Sequence, residues 1–225
     1  MLRQISKADQ DLIYEICCAL GAYVAPYVNR QAIRRRTPEA CLAQRLFDYD
    51  DVVSEFIPMR SEQFYLAMKR HWDWNSRYWE QFALLKLDKF INATGSNRFD
   101  LLAQAISHAR HAVQIERHAF CLTTLGRVLL EDAKQNSAHP EISFNEAFDY
   151  LDEAIWLEGT NNRVAIHPYM TLFRGVSNFL KQSGSLSSRQ LDTITKYLDG
   201  APELFGHDRN LMDLVLELKA ALRAN

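Results

Sequence analysis

Two segments, QAISHARHAVQIE (104–116) and EAFDYLDEAIWLE (146–158), carry one pattern twice. In the first, Ala105, Ala109 and Ala112 stand at i, i+4 and i+7; in the second, Ala147, Leu151 and Ala154 do. Residues so spaced share one face of an α-helix. The offset from Ala105 to Ala147, and from Ala112 to Ala154, is 42 residues. The preceding segments repeat too. Trp79, Phe82 and Ala83 in WEQFA correspond to Leu122, Leu125 and Gly126 in LTTLG, at an offset of 43. A helix pair recurring at this period cannot bury its apolar face alone, so neighbouring pairs must cover it. Small residues at Ala83 and Gly126, and at Ala105 and Ala147, let paired helices approach closely. The expected fold is all-α: an α-solenoid of helix pairs preceded by an N-terminal helical region.

The rest of the chain agrees with this class. Sustained strand alternation and Asn-Gly dipeptides are absent, and helical spacing recurs almost throughout. Asp9 is expected to open a first helix ending near Pro26. Thr37, Pro38 and Glu39 read as N-cap, first position and first turn of another. Polar stretches at 93–97, 134–143, 158–163 and 181–189 read as loops, and DGAPELFGHDRN (199–210) as the lead into a last helix. In that helix Leu211, Leu214, Val215, Leu218 and Leu222 form a stripe suited to capping the solenoid or to a dimer seam. The expected division is an N-terminal helical region over 1–70 and repeats with a capping helix over 71–225.

The Trp79 and Leu125-Gly126 positions and the alanine pairs resemble the tetratricopeptide repeat. That family's first helix carries Trp and Leu-Gly, and its second carries two alanines seven residues apart. Ala83 stands for the glycine, Lys86 and Leu129 for a tyrosine, Arg117 and Gly159 for the closing proline. The period is stretched from about 34 residues to about 42. A further resemblance rests on Asn75, Tyr78, Trp79 and Gln81-Phe82-Ala83. It is to the C-terminal sensor regions of bacterial antiviral STAND-type NTPases and sirtuin-like defence proteins. Only the non-catalytic part is resembled, because no GxxxxGK[ST] loop is present.

The tetratricopeptide resemblance implies a protein or peptide partner on the concave face, lined by the first helix of each pair. The corresponding residues are Arg77, Glu80 and Leu84 in the first repeat, and Phe120, Thr123, Arg127 and Glu131 in the second. A mixture of Arg, Glu and an aromatic suits a charged segment held around an apolar anchor. Trp79 is expected in the core and Trp156 packed beside its alanine stripe. Trp72 and Trp74 read as caps on the first pair, or else as an exposed contact site. With the basic run Arg34, Arg35 and Arg36, they make the alternative reading: a nucleic-acid or small-ligand sensor, or an accessory subunit docking onto a larger enzyme.

Catalytic and metal patterns are not found. His108 and His111 sit at i, i+3, His111 roughly opposite the alanine stripe and His108 at its edge, so a solvated face is expected. No HExxH, GxSxG or Cys/His pairing occurs, and Glu131-Asp132 are adjacent and do not face one another on a helix. Cys17, Cys18, Cys41 and Cys121 form no CxxC pair and read as reduced, mostly buried thiols. Net charge is -2 and the pI about 6.4, which disfavours a general nucleic-acid binder. The apolar run ICCALGAYVAPYV is too short to span a bilayer and is preceded by acidic residues, unlike a signal peptide. The expectation is a cytoplasmic, non-catalytic protein with no cofactor, no metal and no membrane partner, able to form a homo-oligomer.

Overall fold

The computed structural model describes residues 6–48, 53–95, 97–135, 138–160, 165–182 and 184–224. Asp50 and Asp51, and parts of the expected loops, lie outside them. The described residues form helices and 3-10 turns with no strand. No helix among them is long and apolar enough to cross a membrane. The chain divides into two compact units, residues 1–116 and 117–225. The boundary expected at residue 70 therefore falls inside the first unit.

The first unit contains α1 (Lys7–Val24), α2 (Arg30–Arg35), α3 (Pro38–Phe47), the short α4 (Ser54–Phe56), α5 (Ser61–Trp72), α6 (Ser76–Asn92) and α7 (Arg98–Ile115). Helix α1 starts two residues before Asp9, because the Ser6 hydroxyl takes the Asp9 N–H and acts as the cap. Thr37 caps α3 as expected, with Pro38 at its first position. Helix α1 packs on α3 and α5, both of which pack on α6, and α6 lies along α7. The core is aromatic. Phe47, Phe64, Tyr65, Trp72 and Tyr78 are fully buried, and Tyr65 stacks on Phe82 at 5.0 Å. Buried aromatics with polar tips need partners. Here the Tyr65 hydroxyl donates to the Phe47 carbonyl (2.8 Å), the Tyr78 hydroxyl to Tyr65 (2.6 Å), and Trp72 Nε1 to Gly21 (3.3 Å). Asn75 caps α6 through the Tyr78 N–H.

The second unit contains α8 (Ala119–Gln135), α9 (Pro140–Thr160), α10 (Ile166–Lys181), α11 (Ser188–Phe205) and α12 (Arg209–Ala224). Helices α8 and α9 pack as intimately as α6 and α7 do in their own unit. The residues of the repeated pattern lie at those contacts: Ala83, Ala105, Ala109 and Ala112 in one unit, Leu125, Ala147, Leu151 and Ala154 in the other, all fully buried. A Cβ added to Gly126 would fall 2.5 Å from Leu151 Cγ, so the glycine sets how closely α8 and α9 approach. Helix α10 repeats the device, its Gly175 lying against Leu130.

Two elements differ from expectation. Residues 199–205 are helical, not a leader. Ile194, Leu198, Ala201 and Phe205 keep the buried register of α11 across Pro202, and that burial offsets the roughly 3 kcal/mol a proline costs inside a helix. The break shrinks to Gly206–Asp208. Helix α9 likewise runs from Pro140 through Gly159, residues expected in loops. On α12, Leu211, Val215 and Leu218 are buried against α10 and α11, so this part of the stripe covers its own unit. Asp208 accepts the Leu211 N–H at the start of α12, and Glu217 accepts from Lys181 and Ser177 of α10.

Candidate functional site

Helix α6 carries the expected residues of the first repeat. Arg77 reaches Asp48 (3.3 Å) and Glu80 (2.6 Å), bridging the end of α3 to α6. Glu80 is only 3% exposed, and Gln81 Nε2 donates to the same carboxylate at 2.9 Å. The pair therefore turns much of its hydrogen-bonding capacity inward, and Leu84 is half-buried.

Helix α8 carries those of the second repeat, and they face outward more. Phe120 is 47% exposed and stacks on His118 with ring centroids 5.3 Å apart. Arg127 is exposed. Thr123 is half-buried and donates its hydroxyl to Ala119 one turn back. Glu131 pairs with Lys134 at 2.6 Å.

The second expected contact site separates into unlike parts. Arg34 and Arg35 are exposed in the last turn of α2, and Arg36 ends it in the left-handed conformation (φ 53°). There their charges suit the negative end of the helix dipole. Trp72 is wholly buried and cannot serve as an exposed anchor, because the α1–α5 contact encloses it. Trp74 is 37% exposed. It lines a concavity of about 530 Å³ with Val28, Asn29, Arg30 and Gln31; the arginine of that concavity is Arg30 and not the run Arg34, Arg35 and Arg36.

No protein-family model matches the chain, and neither does any curated protein or solved structure.

Two further expectations are corrected. Trp156 is 63% exposed. The buried stripe of α9 runs through Ala154 and Ile155, and the next residue turns about 100° off it. His108 is not on a solvated face: it stacks on Phe82 at 4.4 Å and lies against Trp79, while His111 meets Trp79 edge-on at 4.7 Å. The helical wheel places His108 at the edge of the alanine stripe and His111 roughly opposite it, and the large rings of α6 reach both. Burial, with Lys86, His111 and Lys69 nearby, pulls the His108 pKa down to about 4. Of the thiols, Cys17 and Cys121 are buried as expected, but Cys41 is exposed. Among the described residues no group of three His, Cys, Asp or Glu side chains could hold a metal ion.

Proposed function

We propose that the chain is a non-catalytic, cytoplasmic interaction module of tetratricopeptide-like helix pairs. Its partner is a protein or peptide segment bound through the first helices of the pairs. The observation that carries this reading is the repeat itself, whose small-residue positions are the buried contacts of both α6/α7 and α8/α9. Such spacing devotes paired helices to packing and leaves the outward side chains to vary for recognition. Phe120 and Arg127 supply an aromatic anchor and a guanidinium on α8, a combination enriched at interface hot spots. The pattern from Asn75 to Ala83 extends the reading to a sensor within a bacterial antiviral system.

Partner capture from a lysate by the tagged chain, compared with a Phe120→Ala, Arg127→Glu variant, tests it. Both positions are exposed, so helicity should be unchanged while capture of a discrete protein falls at least about tenfold. Equal capture by the variant overturns the assignment. A second reading, a nucleic-acid or small-ligand sensor, rests on Trp74 and Arg30 lining one concavity. Salt-dependent RNA binding that Trp74→Ala abolishes would establish it.

A further inference from the structure

The concavity beside α2 holds about 530 Å³, within the range of a small-ligand site. Trp74, in the corner between α5 and α6, is fixed at its edge. The indole Nε1 donates to the His71 carbonyl at 3.2 Å, and the ring stacks on that of buried Trp72 with centroids 6.1 Å apart. One face of the indole is thereby taken, and its 37% exposure belongs to the side turned away from Trp72. Among the described residues no cation and no further ring covers that side, whereas Trp79 carries Lys69 at 5.5 Å.

Helix α2 is pinned at both ends. Asn29 Oδ1 accepts the N–H of buried Ala32 at 2.9 Å. The Arg36 N–H donates to the Ile33 carbonyl and the Thr37 N–H to the Ala32 carbonyl, each at 3.1 Å. Asn29 therefore keeps its carboxamide N–H groups for another acceptor, and Gln31 beside it in the concavity is exposed. Arg30 and Arg34 stand one helical turn apart, about 6 Å along the axis, and Arg35 and Arg36 follow. All four are exposed, and none makes an ion pair among the described residues.

The acids closest to them in the chain do not cancel this charge. Over residues 29–39 four arginines stand against Glu39, which is half-buried in the first turn of α3, where the helix dipole favours a carboxylate. Asp48 pairs with Arg77, and Asp11 with Arg60. Asp73 lines a separate groove with Lys69, Arg110 and His111 and takes no part in this concavity. A chain of net charge -2 thus carries a locally basic face, and local potential steers a charged partner whatever the net charge.

We propose that this face binds single-stranded nucleic acid. One base stacks on the open side of Trp74, with Asn29 and Gln31 at its edge and Arg30 at its phosphate. Arg34 and Arg35 take the phosphates that follow. The inference rests on the second reading above and adds to it a strand and its path. An aromatic face beside guanidinium groups is the combination that holds single strands without regard to sequence. A duplex is a poorer fit, because its bases are already stacked and offer Trp74 no face. An acidic peptide would answer the arginines but leave the indole and the two carboxamides unused.

The test is fluorescence anisotropy of the full chain with labelled oligoadenylate and oligouridylate, separate and annealed, as salt is raised. Both single strands should bind, and the duplex about tenfold or more weakly. Log affinity should fall against log salt with a slope of about −2 to −3, as three to four phosphate contacts give. Trp74→Ala should weaken single-strand binding roughly tenfold or more, and Trp74→Phe, which keeps a stacking ring, much less. Arg34→Gln, Arg35→Gln should make the slope about 1.4 shallower. Both arginines are exposed, so helical circular dichroism should not change. Loss in Trp74→Ala with an unchanged slope in the arginine variant overturns the strand path and leaves the sensor reading standing. AMP binding that Trp74→Ala abolishes, with no oligonucleotide bound, makes the concavity a mononucleotide site and also overturns the strand. Equal binding of the duplex overturns the stacking assignment. Polyglutamate or phosphatidylserine vesicles bound as tightly as the single strands overturn the nucleic-acid assignment. No binding of any of these at low salt removes both the strand and the sensor reading.

Discussion

His108 shows how a side chain's surroundings set its chemistry. Half-buried against Phe82 and Trp79, with Lys86, His111 and Lys69 nearby and Glu62 opposing, it is held neutral with a pKa of about 4, against 6.5 for a free histidine. The unfolded chain therefore binds this proton more readily than the folded one. Stability from this group is fully present above about pH 6.5, falls as pH drops toward 4, and changes little below that. At 1.36 kcal/mol per pKa unit, the loss between pH 7 and pH 5 is about 2 kcal/mol. Denaturant midpoints at those two pH values should differ in the wild type and converge in His108→Gln. An unchanged pH slope in the variant would show that other groups carry the effect. The position of His108 was readable from the alanine stripe on α7, but its burial was not, because α6 supplies the rings that cover it.

At the scale of elements, glycine separates packing from propensity. Gly126 and Gly200 both lie inside helices, but an added Cβ meets Leu151 at 2.5 Å at the first and nothing within 4 Å at the second. Gly200→Ala should therefore stabilise α11 by about 0.5–1 kcal/mol, the gain of alanine over glycine in a helix. Gly126→Ala carries the same local gain but forces α8 and α9 apart against a fully buried leucine. It should be net destabilising by about 1–3 kcal/mol, the usual range for overpacking. Thermal unfolding of the two variants checks the opposite signs; stabilisation by both would mean that the α8/α9 contact yields readily. Gly126 was marked by its alignment with Ala83 across the repeat. The extension of α11 through Pro202 was not legible, because local propensity argues for a break there and buried Ala201 and Phe205 overrule it. Motif residues from Asn75 to Ala83 also find structural roles here. Asn75 is a helix cap, and Tyr78, Trp79, Phe82 and Ala83 are core, so their pattern specifies how α6 begins and packs.

Over the whole molecule, the division falls between two adjacent charged residues. Glu116 accepts from Ser76 within the first unit, and Arg117 pairs with Glu153 and lies over Tyr150 within the second. Each unit has its own buried core, aromatic in the first and built on α8, α9 and α10 in the second. Fragments 1–116 and 117–225 should therefore each retain helical circular dichroism and unfold cooperatively in denaturant. A fragment with no transition would show that its core depends on the other half. The helical class, the pairing of α6 with α7 and α8 with α9, and the small residues at their contacts were determined by sequence alone, since periodicity and residue size act locally and recur at a fixed offset. What only the tertiary structure decided is which of the remaining side chains stay accessible. Trp72 went inside, Trp156 stayed out, Glu80 turned inward beneath Arg77, and Lys69 met Arg110 and His111 across a groove. Those outcomes depend on residues from separate helices meeting in space, and no spacing within a single helix encodes them.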